Sequence, residues 1–92
     1  MARYGNAVDQ LPRVPATREL GSSGLTVGPL ASGCWRLSGD ASTAAELIGT
    51  ALAAGMTLID TADIYGWDGE SGFGSAEELL GQVLRANPSW RD

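Results

Sequence analysis

The 92-residue chain contains no lysine and no histidine, and Cys34 is its only cysteine. A single cysteine excludes an internal disulfide and fits a reducing compartment. Without a histidine partner Cys34 is a poor nucleophile, and it is expected to be a small buried residue beside a strand. One cysteine and no histidine also remove the usual donors of a transition-metal centre. The acidic residues Asp60, Asp63, Asp68 and Glu70 do not follow calcium-loop spacing, so no metal is expected. Basic residues number six, all of them arginine and scattered, against a net charge of −5. That balance excludes a phosphate-backbone partner, which needs clustered Lys and Arg, so no nucleic acid is expected. No apolar run approaches the ~20 residues of a membrane span, and residues 1–16 lack a signal-peptide apolar core. A cytoplasmic location with no membrane partner is expected.

What is present is an ordinary globular composition, 43% hydrophobic and 18% charged. The length allows one small domain with a marginal core. Residues 1–17 hold Pro12 and Pro15 with no sustained periodicity and are expected to form a flexible N-terminal arm. Arg18-Glu19-Leu20 and Leu25-Thr26-Val27 flank Gly21-Ser22-Ser23-Gly24, which predicts a hairpin with a four-residue loop. Gly28-Pro29 breaks that pattern. Leu30 to Trp35 then reads as a short buried strand running into a loop.

Between Thr43 and Ala54 the apolar residues Ala44, Leu47, Ile48, Ala51 and Leu52 fall at helical spacing. Thr43 and Glu46 offer a capping box at the start, and Gly55 a left-handed stop at the end. Thr57 to Thr61 follows as a strand that would place Leu58 and Asp60 on one face and Ile59 on the other. Tyr65 to Gly74 is a loop with four glycines. A second capping box, Ser75 with Glu78, opens a helix over about 76–86 with Leu79, Leu80, Val83 and Leu84 as its stripe, ending before Asn87-Pro88. The order is hairpin, strand, helix, strand, helix. Alternating strand and helix predicts an α/β fold with a parallel sheet and right-handed crossovers.

The chemistry sits at Leu58-Ile59-Asp60-Thr61-Ala62-Asp63-Ile64-Tyr65-Gly66, where a carboxylate and a phenol lie five residues apart just past a strand. Parallel β/α proteins place their active sites at such strand ends. Reducing a carbonyl needs a hydride at carbon and a proton at oxygen, and a tyrosine can supply the proton. Its ordinary pKa near 10 must first be lowered by a nearby cation, commonly a lysine held by a carboxylate. Spacing alone leaves a second reading open, with Asp60 as a turn or cap residue and Tyr65 at a loop edge. Elsewhere, Gly72-Phe73-Gly74-Ser75 precedes a helix N-terminus that could hold an anion, or is simply a mobile loop. Trp67 and Phe73 are candidates for substrate contact, and Asp68 and Glu70 read as solvated loop charges.

Several motifs resemble, in order, the start of the aldo-keto reductase family. Gly21-x-x-Gly24-Leu25 with Val27 and Pro29-Leu30 resembles its N-terminal hairpin and first strand. Gly33-Cys34-Trp35-Arg36-Leu37 is similar to the following segment, whose backbone lies against the nicotinamide half of NADPH. Ala51-Leu52-x-x-Gly55-Met56 continued through Tyr65-Gly66 resembles the family's main signature, and Ser75-x-Glu77-Glu78-Leu79-Leu80-Gly81 the start of its second barrel helix. The resemblance runs from about residue 18 to 86. It implies the N-terminal part of a parallel β/α (TIM) barrel, a hairpin followed by two β-α units, with the barrel not closed in this chain. Residues 18–92 would then be an N-terminal fragment of an NADP-dependent oxidoreductase domain.

The resemblance also implies residue roles. Asp60 would be the tetrad aspartate and Tyr65 the general acid, while Gly33, Cys34, Trp35, Arg36 and Asp60 would border NADPH. The expected function is reduction of a small-molecule aldehyde or ketone. The tetrad's lysine and histidine have no counterpart among these 92 residues, so the chain alone is expected to be inactive. The alternative is a non-catalytic truncated product, or a partner-binding or regulatory module of the same fold. An exposed sheet edge would then favour self-association and oppose a sharp monomeric unfolding transition.

Overall fold

A computed structural model of the chain describes residues 15–92. Of the arm expected over 1–17, residues 1–14 lie outside the described residues. The remainder is α/β: two small two-stranded sheets, two α-helices and a closing 3-10 turn.

The hairpin pairs β1 (Arg18–Glu19) with β2 (Thr26–Val27), antiparallel, with Arg18 opposite Val27 and Glu19 opposite Thr26. Leu20 N donates to the Leu25 carbonyl at 2.9 Å, closing the four-residue loop expected from its glycines. Ser23 tightens that loop, its hydroxyl donating to the Leu20 carbonyl at 2.6 Å. Gly28 then brings the chain against the body of the protein. A Cβ there would run into the Gly55 carbonyl, so only glycine allows the two backbones to meet. Gly28 N donates to Thr57 Oγ1 at 3.1 Å in the same contact.

β3 (Ala31–Gly33) and β4 (Leu58–Asp60) form the second sheet, parallel as expected, with Ala31 opposite Leu58, Ser32 opposite Ile59 and Gly33 opposite Asp60. Both strands are shorter than the sequence implied. Parallel neighbours need a long crossover, which α1 (Ala41–Ala53) provides. Its start differs from expectation. Asp40 is the N-cap, its Oδ1 accepting from Thr43 N at 2.7 Å, so Thr43 lies inside the first turn and the Thr43–Glu46 box does not form. At the other end Gly55 has φ +91°. Met56 N donates to the Ala51 carbonyl at 2.9 Å and Gly55 N to that of Leu52 at 3.0 Å, a Schellman stop.

α2 (Ser75–Ala86) ends where Asn87-Pro88 dictates, and the 3-10 turn Pro88–Arg91 follows. Its N-cap is Gly74 at φ +81° with no side-chain cap bond, so the Ser75–Glu78 box is also absent. The two helices pack together over Cys34, Leu37, Ala44, Ile48, Leu79, Leu80 and Val83, with Ile59, Tyr65, Leu84 and Trp90 against that cluster. Ile48 and Val83 are almost fully buried, and each such side chain contributes about 1.5–3 kcal/mol. Leu47, expected in the buried stripe, is 56% exposed on the flank of α1. Ile59 faces the helices, so alternation turns Leu58 and Asp60 to the opposite side. Among the described residues β3 and β4 pair only with each other, leaving an open edge on each.

Asp40 provides a first test. Its carboxyl is held below the ordinary aspartate value by hydrogen bonds from Thr43 and Ser42. A depressed pKa stabilises the fold above the unfolded-state value, and the gain disappears as pH falls through the folded-state value. Asp40→Ala should therefore lower the thermal midpoint at neutral pH, with the deficit vanishing in strong acid. Asp40→Asn, which keeps the acceptor, should restore most of it. Equal midpoints for wild type and Asp40→Ala at neutral pH would remove the cap from the account.

Candidate active site

The parallel register decides what meets at the sheet's C-terminal end. Gly33 and Asp60 are opposite one another as the last residues of their strands. Immediately beyond, Cys34 N donates to the Asp60 carbonyl at 2.9 Å, so the ladder continues one step past β3. Leu37 N returns to the Cys34 carbonyl at 3.0 Å, folding residues 34–37 into a turn that buries Cys34 and Leu37 and exposes Trp35 and Arg36. The Arg36 guanidinium lies over the Trp35 ring, 4.9 Å from its centroid. At this exposure such a cation–π contact is worth about 0.5–1 kcal/mol, enough to bias both side chains without locking them.

Gly33, Cys34, Trp35, Arg36 and Asp60 are thus gathered at one strand end. They differ in what they present. The Asp60 carboxylate is exposed, and nothing lies within 4 Å of where a Gly33 Cβ would stand. Cys34 is fully buried, so its contribution is packing and two backbone bonds, one donated to Asp60 and one accepted from Leu37. Burial pushes its thiol above the ordinary value, the Asp60 charge pushes it further, and a contact from the Thr61 hydroxyl opposes the shift. Thr61 Oγ1 is buried and otherwise has no hydrogen-bond partner among the described residues. Sequence reading gave Thr61 no role, since a threonine ending a strand carries no distinctive signal. A buried, high-pKa thiol should resist iodoacetamide in the folded chain at pH 8 and react rapidly in denaturant. Equal rates in both conditions would contradict this burial.

Tyr65 stands five residues past Asp60, half-buried, with its ring against the core cluster. Its backbone is fixed at both ends: Tyr65 N donates to the Ala62 carbonyl at 3.2 Å, and its own carbonyl accepts from Ala76 N at 3.2 Å. Among the described residues no hydrogen bond joins its hydroxyl to Asp60. The carboxylate and the phenol are therefore not directly paired: Asp60 is exposed, and Tyr65 is packed against the core. Among the described residues no group of three His, Cys, Asp or Glu side chains converges on a metal-sized site. No described helix is long and apolar enough to cross a membrane.

A family model described as the aldo/keto reductase family matches residues 29–92. The chain belongs to the aldo/keto reductase family. It is 52% identical over 88 residues to a 6-dehydroglucose reductase of Novosphingobium aromaticivorans, covering 92% of this chain and 29% of that protein. Aldo-keto reductase YhdN of Bacillus subtilis is 33% identical over 72 residues, 72% of this chain and 20% of its own length. An uncharacterized 11.2 kDa protein from Pseudescherichia vulneris is 34% identical over 82 residues, 84% of this chain and 78% of its own length. The chain thus spans less than a third of the two named reductases. Family membership bears out the resemblance to aldo-keto reductases that the Ala51–Gly66 signature and its neighbouring motifs carry.

Proposed function

We propose that this chain is the N-terminal part of a β/α-barrel aldo/keto reductase that reduces an aldehyde or ketone with NADPH. The observation that carries the reading is the in-register pairing of Gly33 with Asp60, which sets the 33–36 turn and the Asp60–Tyr65 segment side by side at one strand end. Tyr65 donates the proton to the carbonyl oxygen. Asp60 orients and electrostatically supports the tetrad lysine beside the phenol. That lysine and the tetrad histidine are not encoded in these 92 residues, so the chain by itself is inactive.

The residues present fit a dinucleotide. Gly33 lets a flat ring approach the backbone, Trp35 offers an exposed indole, and Arg36 places a guanidinium beside it for a phosphate. When bound, NADPH supplies the hydride. The similarity to a 6-dehydroglucose reductase makes a sugar aldehyde the first substrate to try. The unpaired Cys34 supports a cytoplasmic setting for this reading.

A second reading is supported by the missing lysine and histidine and by the similarity to a chain of only 11.2 kDa. In it the segment associates through the open edges of β3 and β4, with itself or with another polypeptide. The native gene product, purified intact from its host, separates the two. Aldehyde-dependent oxidation of NADPH by a species much heavier than 9.5 kDa supports the reductase. A catalytically silent 9.5 kDa species that runs as an oligomer rejects it in favour of the module.

A further inference from the structure

Exposed aromatic rings are distributed unevenly over the molecule. Among the described residues the exposed tryptophans and phenylalanine are Trp35, Trp67 and Phe73. All three lie on the two loops that leave the C-terminal ends of β3 and β4, and Ile64, 54% exposed, joins them. Exposed large apolar side chains gathered beside candidate chemistry mark a binding surface more readily than scattered ones do.

The 65–74 loop is built to hold its share of them still. Gly66 and Gly72, at φ +100° and +94°, cross so closely that a Cβ on Gly72 would strike the Gly66 carbonyl, and one on Gly66 would strike Ser75 Oγ. Inside the crossing, Asp68 Oδ1 accepts from Glu70 N and Ser71 N, both at 2.8 Å, and Asp68 N donates to the Ser71 carbonyl at 3.0 Å. The stem is tied by Gly74 N to the Asp63 carbonyl at 2.7 Å, beside the Tyr65–Ala76 bond. Trp67 and Phe73 flank this closed turn and meet edge to face, ring centroids 6.4 Å apart at 76°. An excursion tied off at Tyr65 itself therefore presents a fixed aromatic corner, and Asp63 in its stem and Glu70 in its turn are both exposed.

We propose that this corner is a specificity site for the ring of a neutral, pyranose-type aldehyde. Its C–H face packs on Trp67 and Phe73, and its hydroxyls donate to the Asp63 and Glu70 carboxylates. Aromatic faces match the apolar side of a saturated ring, and carboxylates accept hydroxyl hydrogens. The same carboxylates repel anionic sugars, which sets neutral substrates apart from uronic or phosphorylated ones. The inference rests on the reductase reading for the identity of the reacting group, but binding at the corner needs neither turnover nor cofactor.

The test is therefore made in two independent parts on the intact native product. In the first, methyl glucopyranoside, sorbitol and glucuronate are titrated against the indole N–H resonance of Trp67, assigned by its loss in Trp67→Phe. The pyranoside should shift it saturably, sorbitol and glucuronate much less. Phe73→Ala should weaken the pyranoside response about tenfold, and Phe73→Tyr, which keeps the ring, should preserve it. No shift at Trp67, or equal shifts from sorbitol, overturns the proposal. In the second part, kcat/KM is compared for the 6-aldehyde of a pyranose and for propanal. Trp67→Ala should lower the first about tenfold or more and the second less than about twofold, whereas equal losses would mean a structural role only. A product that binds the pyranoside at Trp67 but reduces neither aldehyde would refute the reductase reading and leave the binding corner standing.

Discussion

Tyr65→Phe should lower kcat for aldehyde reduction in the intact native product by about 10²- to 10⁴-fold, the span that general acid catalysis normally supplies. The substitution removes one oxygen and nothing else. That matters here because the Tyr65 ring packs against the helix–helix core, so Tyr65→Ala would mix lost chemistry with a lost contact. Phenylalanine keeps the ring and the contact. The Tyr65 backbone bonds to Ala62 and Ala76 are likewise indifferent to the side chain. The fall should therefore appear in kcat, with NADPH affinity and thermal midpoint nearly unchanged. On the proposed reading Asp60→Asn should reproduce part of the loss, because the carboxylate that would hold the lysine loses its charge while the Tyr65 phenol stays. Turnover near wild type in Tyr65→Phe would remove the phenol from the mechanism.

The features legible in the sequence are those set by local periodicity or by backbone chemistry. The α2 stripe of Leu79, Leu80 and Val83 is buried as its spacing requires, and Gly55 stops α1 because a left-handed residue must stand there. The parallel pairing of the two short strands was legible too, once a helix joined them, but the register that sets Gly33 opposite Asp60 was not. The caps were not. Asp40 and Thr43 both satisfy the rules for an N-cap, but a charged carboxylate is the stronger acceptor, and it starts α1 at Ala41. Ser75 sits inside α2, its Oγ lying where a Gly66 Cβ would stand and its N–H spent on the Gly72 carbonyl. A box visible in sequence was thus displaced by a loop closure that is not. Leu47 fits the α1 stripe by spacing, but that side of the helix has no described element against it and the side chain stays exposed.

The loop closure itself supports the second large effect, a difference between two glycines of similar backbone. Gly69 and Gly72 have φ +102° and +94°, a region that L side chains rarely enter. A Cβ on Gly69 meets nothing within 4 Å, whereas one on Gly72 meets the Gly66 carbonyl, which is backbone and cannot swing aside. Gly69→Ala should thus cost only the left-handed strain of about 1–2 kcal/mol. Gly72→Ala should add an overpacking term of about 1–3 kcal/mol, making it the larger loss in chemical denaturation. The excess has a structural signature as well. Forcing residues 66 and 72 apart opens the turn that Asp68 closes and separates Trp67 from Phe73. The Trp67 indole should then lose its wild-type resonance position in Gly72→Ala and keep it in Gly69→Ala. Equal destabilisation by the two substitutions, with Trp67 unmoved in both, would mean that the crossing of Gly66 and Gly72 does not hold the aromatic corner. If the two differ as expected, the backbone collision that excludes a side chain at Gly72 is also what fixes Trp67 and Phe73 edge to face.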